Sequence, residues 1–479
     1  MKEHGFKTHG RLALQAVVVF WAAVAPGYSQ TAAPKPQPAV TQPSAGTTNI
    51  YGTAPGGKLD LSDQRIRFWQ WQVSRDPEFW TSLNGLAAAY AQKARETGDI
   101  SYFELAEASL KQSLKAESTH VEAAPAYTQL ATVHLAEHRF AEAGDDAAKA
   151  IALNPQELMP YPYAGDAQLE QGNYPAAQKF YDDLAAPKDG KPHPGIEFLA
   201  YSHGAGLDWI KGDVARADED LKQAIVLADI LHMPAENIAW IHFMLGEQFF
   251  MSGDLVSAER EEAASLKAFP RYHRALSAMG QLRAAQGKFP EAIDYYKQAV
   301  AIIPLPIYAA ALGDVYAVSG DKVNAEKQYA LVEFIGKLSA INQQVFNREL
   351  AIFYADHDRK LPEALTLAEK ELEVRHDVYT SDALAWALLK NHQPARAKEE
   401  MEKALRMGTK DALMEYHAGM IYAALGDNTE ATAHLKRALA INPHFHVIFA
   451  DQATKTLAGL AQKPAATVAR AGNADAVQR

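Results

Sequence analysis

The sequence predicts an all-α protein, a right-handed superhelix of about ten stacked helical hairpins. A small residue recurs every 33 to 41 residues, and a second small residue lies 12 or 13 positions before each of them. Apolar residues follow these positions at helical spacings of three and four. A fixed period in this range is typical of a solenoid, whose units stack on their neighbours. The recurring small residues are Ala143, Ala177, Ala217, Ala258, Ala292, Ala325, Ala364, Ala397 and Ala431.

One unit, residues 273–304, illustrates the elements in order. Leu276 and Met279 belong to a first apolar stripe, and a second stripe follows Gly287. Gly287 lets the backbone turn, and Pro304 ends the second stripe because it lacks an amide hydrogen. Each unit is therefore predicted to be a hairpin of two amphipathic helices. Because one hairpin cannot bury its apolar face alone, stability requires neighbours.

The small residues predict a close approach of the two helices in each hairpin. We expect Gly280 of the first helix and Ala292 of the second to let the two backbones come together. A bulky residue at such a position would overpack the contact and cost about 1–3 kcal/mol.

The N-terminal residues 1–29 have the pattern of a secretory signal. A basic stretch precedes an uncharged run at 12–25, and small residues surround a predicted cut after Ser29. An uncleaved anchor or a buried first helix is the alternative, but this run is short for a membrane span of roughly 20 residues. We therefore expect a periplasmic or secreted protein with no membrane span in the mature chain.

Charge and cysteine content exclude several functional classes. The formal net charge is −11, and no basic block is present, so nucleic acid is not an expected partner. The chain has no cysteine, which excludes disulfides, thiolate metal sites and cysteine nucleophiles. We predict no cofactor.

Composition and periodicity together predict the organisation of the whole chain. The expected parts are a signal at 1–29, a Pro/Ala/Gly-rich linker at 30–60, a repeat array at 61–462 and a disordered tail at 463–479. Within the array we expect a degenerate first unit at about 80–118, nine units at about 124–443 and a solvating end helix at 446–462.

The units resemble the tetratricopeptide repeat. That family has Leu and then Gly or Ala in the first helix, Tyr three residues later, Gly at the turn, and Ala and an aromatic residue in the second helix. Residues 307–332 supply Leu312, Gly313, Tyr316, Gly320, Ala325 and Tyr329. Two units depart from the pattern, because His138 and His392 stand where the turn glycine is usual.

The resemblance implies a concave face, lined by the first helices, that holds a peptide or a helix of a partner protein. Aromatic residues and arginine at the inward positions are typical of binding hot spots. Each aromatic residue could instead pack against the next hairpin. The Lys/Asn pair with which some family members grip a C-terminal carboxylate is missing. The candidate partner-binding residues are Trp209, Trp240, Phe243, Glu247, Phe250, Arg274, Gln281, Asp314, Arg348 and Trp386.

The predicted function is a non-catalytic scaffold or adaptor for an unidentified protein or peptide, and an exposed repeat end could also stack on a second copy. Two alternatives stay open. One is a metal-dependent enzyme or a metal-binding protein that uses the array as a frame, because His134 and His138 form an H-x-x-E-H pattern that could hold a metal and His444 with His446 could chelate one weakly. A small apolar ligand or a glycan could bind between Trp209 and Phe250.

Overall fold

A computed structural model describes residues 61–185, 193–341 and 348–461, with the backbone alone for 339–341. The predicted signal, the predicted linker and the predicted tail lie outside the described residues. The described residues form 22 α-helices and no strand. None of these helices combines the length and the apolar character that crossing a membrane requires.

Helix α1 (Leu61–Arg75) precedes ten helix pairs, which we number hairpins 1 to 10. The first five are α2/α3 (Trp80–Thr97, Ser101–Ala116), α4/α5 (Ala124–Ala136, Phe140–Leu153), α6/α7 (Tyr161–Glu170, Tyr174–Ala185), α8/α9 (Pro194–Ile210, Val214–Ile230) and α10/α11 (Ala235–Met251, Leu255–Ala268). The last five are α12/α13 (His273–Ala285, Phe289–Ile302), α14/α15 (Pro306–Val318, Lys322–Ile341), α16/α17 (Arg348–Asp356, Leu361–Val374), α18/α19 (Val378–Lys390, Pro394–Ala404) and α20/α21 (Ala412–Ala424, Asn428–Ile441). Helix α22 (Phe449–Ala461) follows. The predicted fold class is confirmed.

Within a hairpin, the small residue of the first helix lies under a large side chain of the second. A Cβ atom on Gly165 or Gly313 would lie 2.4 Å from the ring of Tyr181 or Tyr329, respectively. The predicted contact of Gly280 is corrected in one respect, because the ring of Tyr296 covers it, with the nearest atoms 2.9 Å from an added Cβ. The period of the small residues is therefore a packing requirement between paired helices.

The turn between the two helices of a hairpin contains a residue in the left-handed region. Glycine adopts this conformation at little cost, because it has no Cβ atom. The hairpin-turn glycines with positive φ are Gly98, Gly172, Gly212, Gly253, Gly287, Gly320 and Gly426. His138 and His392 replace glycine in their turns and have φ of 58°.

The superhelix packs against itself, because the turns of hairpins 3 to 5 contact the loops that flank hairpins 9 and 10. A Cβ atom on Gly172 would lie 2.3 Å from the carbonyl oxygen of His376. A Cβ atom on Gly212 would lie 2.3 Å from the carbonyl oxygen of Gly408. The third contact joins Gly253 to residue 441. We call these three the docked turns, and they hold two coils of the superhelix edge to edge.

Hydrogen bonds connect the same two coils. Thr409 Oγ1 donates to the carbonyl oxygen of Ile210 at 2.6 Å, and Asn442 Nδ2 donates to that of Phe250 at 2.7 Å. Further along, the backbone amide of Val378 donates to the hydroxyl of Tyr174 at 3.0 Å. The first and third bonds satisfy backbone groups that a helix end leaves without an intrahelical partner, whereas the Phe250 oxygen also accepts from the Gly253 amide at 2.9 Å.

A buried ion cluster lies at one end of this contact. Arg375 has no exposed surface, and its Nε donates to the Glu170 carboxylate and lies 3.0 Å from Oδ2 of Asp377. Its guanidinium also lies 5.0 Å from the ring centroid of Phe140. Burial by itself raises the pKa of Asp377, but Arg375 and Arg348 outweigh it and hold that pKa below its usual value. Charges from both coils are thus paired in a place that excludes water.

Candidate binding cavity

A cavity of about 360 Å³ lies at the concave face of hairpins 5 to 8. Its walls come from the first helices α10, α12, α14 and α16, and the loop before α22 forms part of the lining. The volume is at the lower end of the range for ligand pockets, about 300–1,000 Å³. Six of the predicted partner-binding residues line it: Phe243, Glu247, Phe250, Arg274, Gln281 and Asp314.

The other four predicted residues, Trp209, Trp240, Arg348 and Trp386, do not line this cavity. All four are buried in packing contacts rather than displayed on an open face. Nε1 of Trp209 donates to the Tyr379 hydroxyl at 3.0 Å across the two coils. These contacts agree with the alternative that the three aromatic residues pack within the fold, and a role in partner binding stays a prediction for all ten residues.

Two of these four hold neighbouring hairpins together. Nε1 of Trp386 donates to Oδ1 of Asp356 at 2.7 Å, and its ring stacks on that of His417 with centroids 4.3 Å apart. Arg348 pairs with Asp377 at 3.3 Å. Trp386 thus reaches the cavity only through Asp356, which does line it.

Glu247 is the cavity's most perturbed carboxyl group. Burial raises its pKa to about 7, and the positive charge of Arg274 opposes that rise only in part. The aromatic rings of Phe243 and Phe250 lie in the same wall. A carboxylate in such surroundings is poorly solvated, so its charged form gains from any cation that enters.

Asp314 and Asp356 are better satisfied than Glu247. Oδ1 of Asp314 accepts from the Tyr329 hydroxyl at 2.8 Å and lies 2.7 Å from Nε2 of His357. Burial disfavours the charged form of His357, but Asp314 raises the pKa of His357 above its usual value. Burial raises the pKa of Asp356 to about 6, with His417 and His357 opposing.

The histidines that follow hairpin 10 are also placed by the structure. His444, Phe445 and His446 all line the cavity, and Phe445 is also buried against α20 and α22. Nε2 of His446 lies 3.7 Å from Oδ2 of Asp314, and burial lowers the pKa of His446. His446 is therefore part of the cavity wall.

The H-x-x-E-H pattern does not bring its two histidines to one point. Nε2 of His134 lies 3.0 Å from Oε1 of Glu107, on the preceding hairpin. His138 stacks instead on Phe140, with ring centroids 5.4 Å apart, and is buried toward the second coil. The change of direction follows from the left-handed backbone at His138, which ends the helix.

His134, Glu107 and Glu137 do form a group whose ligand atoms lie within 4.8 Å of one another. The guanidinium of Arg139 already contacts both carboxylates, at 2.8 Å from Glu107 and 2.9 Å from Glu137. An arginine so placed supplies the positive charge that a metal ion would bring. The ligand types suit a metal, but this group is an ion-pair cluster.

Sequence reasoning missed several residues that line the cavity, among them Tyr308, Glu349 and His357. His357 follows the last residue of α16, beyond the inward stripe of its helix. Glu349 lies beside Arg348, one position off that stripe. The repeat register alone could not assign these side chains to the cavity.

The described residues form an α-helical solenoid with an internal cavity. The family model described as "Tetratricopeptide repeat" matches residues 243–305 and 383–444, which cover hairpins 5 and 6 and hairpins 9 and 10. The chain is a tetratricopeptide repeat protein. Repeats of this fold generally mediate protein–protein interaction, and proteins of the family are typically non-catalytic.

No sequence among the curated proteins matches this chain significantly. Solved structures that are similar to it include the following three. Yeast Tom70 is 12% identical with a TM-score of 0.31, over 78% of this chain and 95% of that one. BtubC from P. vanneervenii is 19% identical with a TM-score of 0.35, over 43% and 91%. A tetratricopeptide repeat protein from Parabacteroides merdae is 17% identical with a TM-score of 0.32, over 55% and 99%.

Proposed function

We propose that the chain is a non-catalytic scaffold that holds a short segment of a partner protein in the cavity of hairpins 5 to 8, in the periplasm or outside the cell. One observation carries the binding part of this proposal. Six residues that the repeat register places on the inward face meet around one cavity, although they come from three hairpins. Such convergence of apolar walls and a few polar groups is typical of a binding site.

The size of the cavity sets the form of the partner. An extended peptide along the whole concave face would need an open trough, but the second coil packs against the turns of hairpins 3 to 5. A cavity of about 360 Å³ suits one or two side chains from a chain end or a loop. The rest of the partner would lie outside the cavity, near the half-exposed Ile307 in its lining.

Site-specific photo-crosslinking in the native host tests the binding part. A photoreactive residue at Gln281, inside the cavity, should give a defined adduct whose mapped segment belongs to one partner. The same residue at Gln298, which is exposed on α13, is the matched control. Adducts of equal yield and identity from both positions would contradict the proposal.

The location is tested separately. Fractionation of the host followed by mass analysis of the N-terminus should find the chain outside the cytoplasm and beginning at Gln30. A full-length chain in the cytoplasm would refute export and leave the binding proposal intact.

A small molecule in the same cavity is the second candidate, because the volume falls within the range of small-ligand pockets. Native mass spectrometry of protein purified from its host distinguishes the two. A bound mass of a few hundred daltons that Gln281→Trp abolishes would favour the small molecule.

A further inference from the structure

The cavity lining has more carboxylates than permanent cations. Among the described residues that line it, there is one arginine and no lysine. The imbalance lies against apolar and aromatic walls, where charge is poorly screened. The four carboxyl groups of the lining are Glu247, Asp314, Glu349 and Asp356.

Glu247 stands at a register position where other hairpins supply an internal hydrogen-bond donor. In hairpin 3, Tyr181 donates to Asp166, fifteen residues earlier, at 2.8 Å. In hairpin 7, Tyr329 donates to Asp314 over the same spacing and at the same distance. In these two hairpins, a tyrosine of the second helix thus donates a hydrogen bond to the inward carboxylate of the first helix.

Hairpin 5 lacks this hydrogen bond. The residue fifteen positions after Glu247 is Glu262, which lies against Gly246 where tyrosine covers the glycine in hairpins 3, 6 and 7. Glu262 is 1% exposed, and neither of its carboxyl oxygens has a hydrogen-bond partner. Burial and the nearby charges of Glu247 and Glu261 raise its pKa well above the usual value. Burial thus favours the neutral form of Glu262, and Glu247 is the member of this pair that lines the cavity.

We propose that the cavity receives an arginine or lysine side chain of the partner segment, flanked by apolar side chains, and that Glu247 is the carboxylate that pairs with it. This inference rests on the proposed function and specifies its partner. The incoming cation donates to Glu247, which receives no hydrogen bond from Glu262 in the structure, and Phe243 and Phe250 pack against the apolar neighbours. Charge-assisted hydrogen bonds of this kind are among the strongest in proteins.

The charged and titratable groups that interact with Glu247 come from four other helices, and one of them is Tyr296 on α13, whose pKa Glu247 also raises. Arg274 on α12 lowers the pKa of Glu247, whereas Glu247 raises the pKa of Glu262 on α11 and that of Tyr308 on α14. With its own pKa at about 7, Glu247 is mostly protonated at pH 6 and mostly ionised at pH 8. Binding of a cation should therefore become about tenfold tighter between pH 6 and pH 8.

Titration calorimetry with two matched dipeptides tests the inference. Acetyl-Phe-Arg-amide carries the cation, and acetyl-Phe-citrulline-amide has nearly the same shape without the charge. At pH 8 we expect the arginine probe to bind at least about tenfold more tightly than the citrulline probe. Glu247→Gln should remove both this preference and the pH dependence while helicity by circular dichroism is unchanged. Glu219→Gln, which removes an exposed carboxylate from α9, is the control and should bind as the wild type does.

The outcomes separate the charge inference from the proposed function. If both probes bind equally well, the cavity binds side chains but the charge inference is wrong. If neither probe binds at millimolar concentration, the charge inference is also overturned, and the crosslinking at Gln281 decides independently whether a partner enters. A preference for arginine that survives in Glu247→Gln would assign the pairing to another carboxylate and overturn the role of Glu247.

Discussion

The docked turns of hairpins 3 to 5 and the turns of hairpins 6, 7 and 10 have the same local design and different surroundings. Gly212 and Gly287 both end a first helix in the left-handed region, with φ of 75° and 73°. A Cβ atom on Gly212 would meet the backbone of the second coil, whereas one on Gly287 would have no neighbour within 4 Å. An added Cβ atom on Gly320 or Gly426 would also have no neighbour within 4 Å, and we call the turns at Gly287, Gly320 and Gly426 the free turns.

The comparison teaches that one sequence signal has two physical causes in this molecule. At a free turn, glycine is needed only for its backbone conformation. At a docked turn, glycine also makes room for a carbonyl group of a residue about 200 positions away in the chain. The contribution of the coil contact to stability can therefore be measured by substituting equivalent turns.

The largest effect is expected at the ion cluster beside the docked turns. Arg375→Leu would remove the ion-pair partner of the buried Glu170 and leave Asp377 paired with Arg348 alone, which should cost about 3–5 kcal/mol of unfolding free energy. The control is Arg359→Leu, because Arg359 pairs with Glu326 and Glu333 near the surface, where such pairs contribute about 0–1 kcal/mol. Urea unfolding followed by circular dichroism measures both. Equal losses of unfolding free energy in the two variants would show that the buried ion cluster contributes no more to stability than a surface ion pair.

A direct test substitutes alanine at one docked and one free turn. Both Gly212→Ala and Gly287→Ala impose the left-handed strain of about 1–2 kcal/mol. Only Gly212→Ala adds a clash with the Gly408 carbonyl group, for a further 1–3 kcal/mol or so. The difference between the two unfolding free energies thus isolates the coil contact, and a difference near zero would mean that the coils separate at no cost.

The two turn histidines extend the comparison to pH. His138 is buried between the coils, and burial together with Arg375 and Arg348 lowers its pKa well below the usual value. The unfolded chain therefore binds a proton that the folded chain excludes, so this contribution to stability is present above about pH 6.5 and is lost as the pH falls below it. Between pH 7 and pH 5 the loss should be about 1–2 kcal/mol.

His138→Gly keeps the turn conformation and removes the imidazole, so its unfolding free energy should fall less between pH 7 and pH 5 than that of the wild type. His392→Gly makes the same backbone change at an exposed turn and is the control. Parallel pH profiles for wild type and His138→Gly would contradict the prediction.

The smallest effect is expected from a single hydrogen bond between the coils. Thr409→Val removes the donor to the Ile210 carbonyl oxygen and should cost about 1 kcal/mol. Thr366→Val removes an exposed hydroxyl that bonds within its own helix and should change stability by less than about 0.5 kcal/mol. Thermal unfolding of both variants under identical conditions measures the difference. Equal unfolding midpoints would show that the bond between Thr409 and Ile210 does not contribute to stability.

Sequence periodicity could predict the hairpins because each depends on residues within about 34 positions of one another. The pairing of Gly313 with Tyr329 is of this local kind. The coil contact could not be predicted, since it depends on the superhelical pitch accumulated over several hairpins. Nothing near Arg375 in the sequence distinguishes it from an exposed arginine. The packing of Trp209 against Tyr379 could not be predicted either, because it also depends on the contact between the coils.

The candidate site was predictable where it follows the repeat register. Phe243, Glu247 and Asp314 point inward at the positions that the family resemblance implies. The contribution of the loop after hairpin 10 was not predictable, because His446 reaches the cavity only through the path of the second coil. The exception at Glu262 was visible in the sequence as a glutamate in a tyrosine position, a local conflict that often accompanies function.

In a linear repeat array each unit touches only its neighbours, so the terminal units fray first. The contact between hairpins 3 to 5 and hairpins 9 and 10 changes that order here, because it ties the C-terminal end of the chain to its middle. Amide hydrogens in hairpins 9 and 10 should then exchange as slowly as those of hairpins 3 to 5, while hairpins 6 and 7, whose turns are free, should open before hairpins 9 and 10. Hairpins 6 and 7 supply part of the cavity lining, so their local opening would let a partner enter the cavity while both ends of the array stay folded.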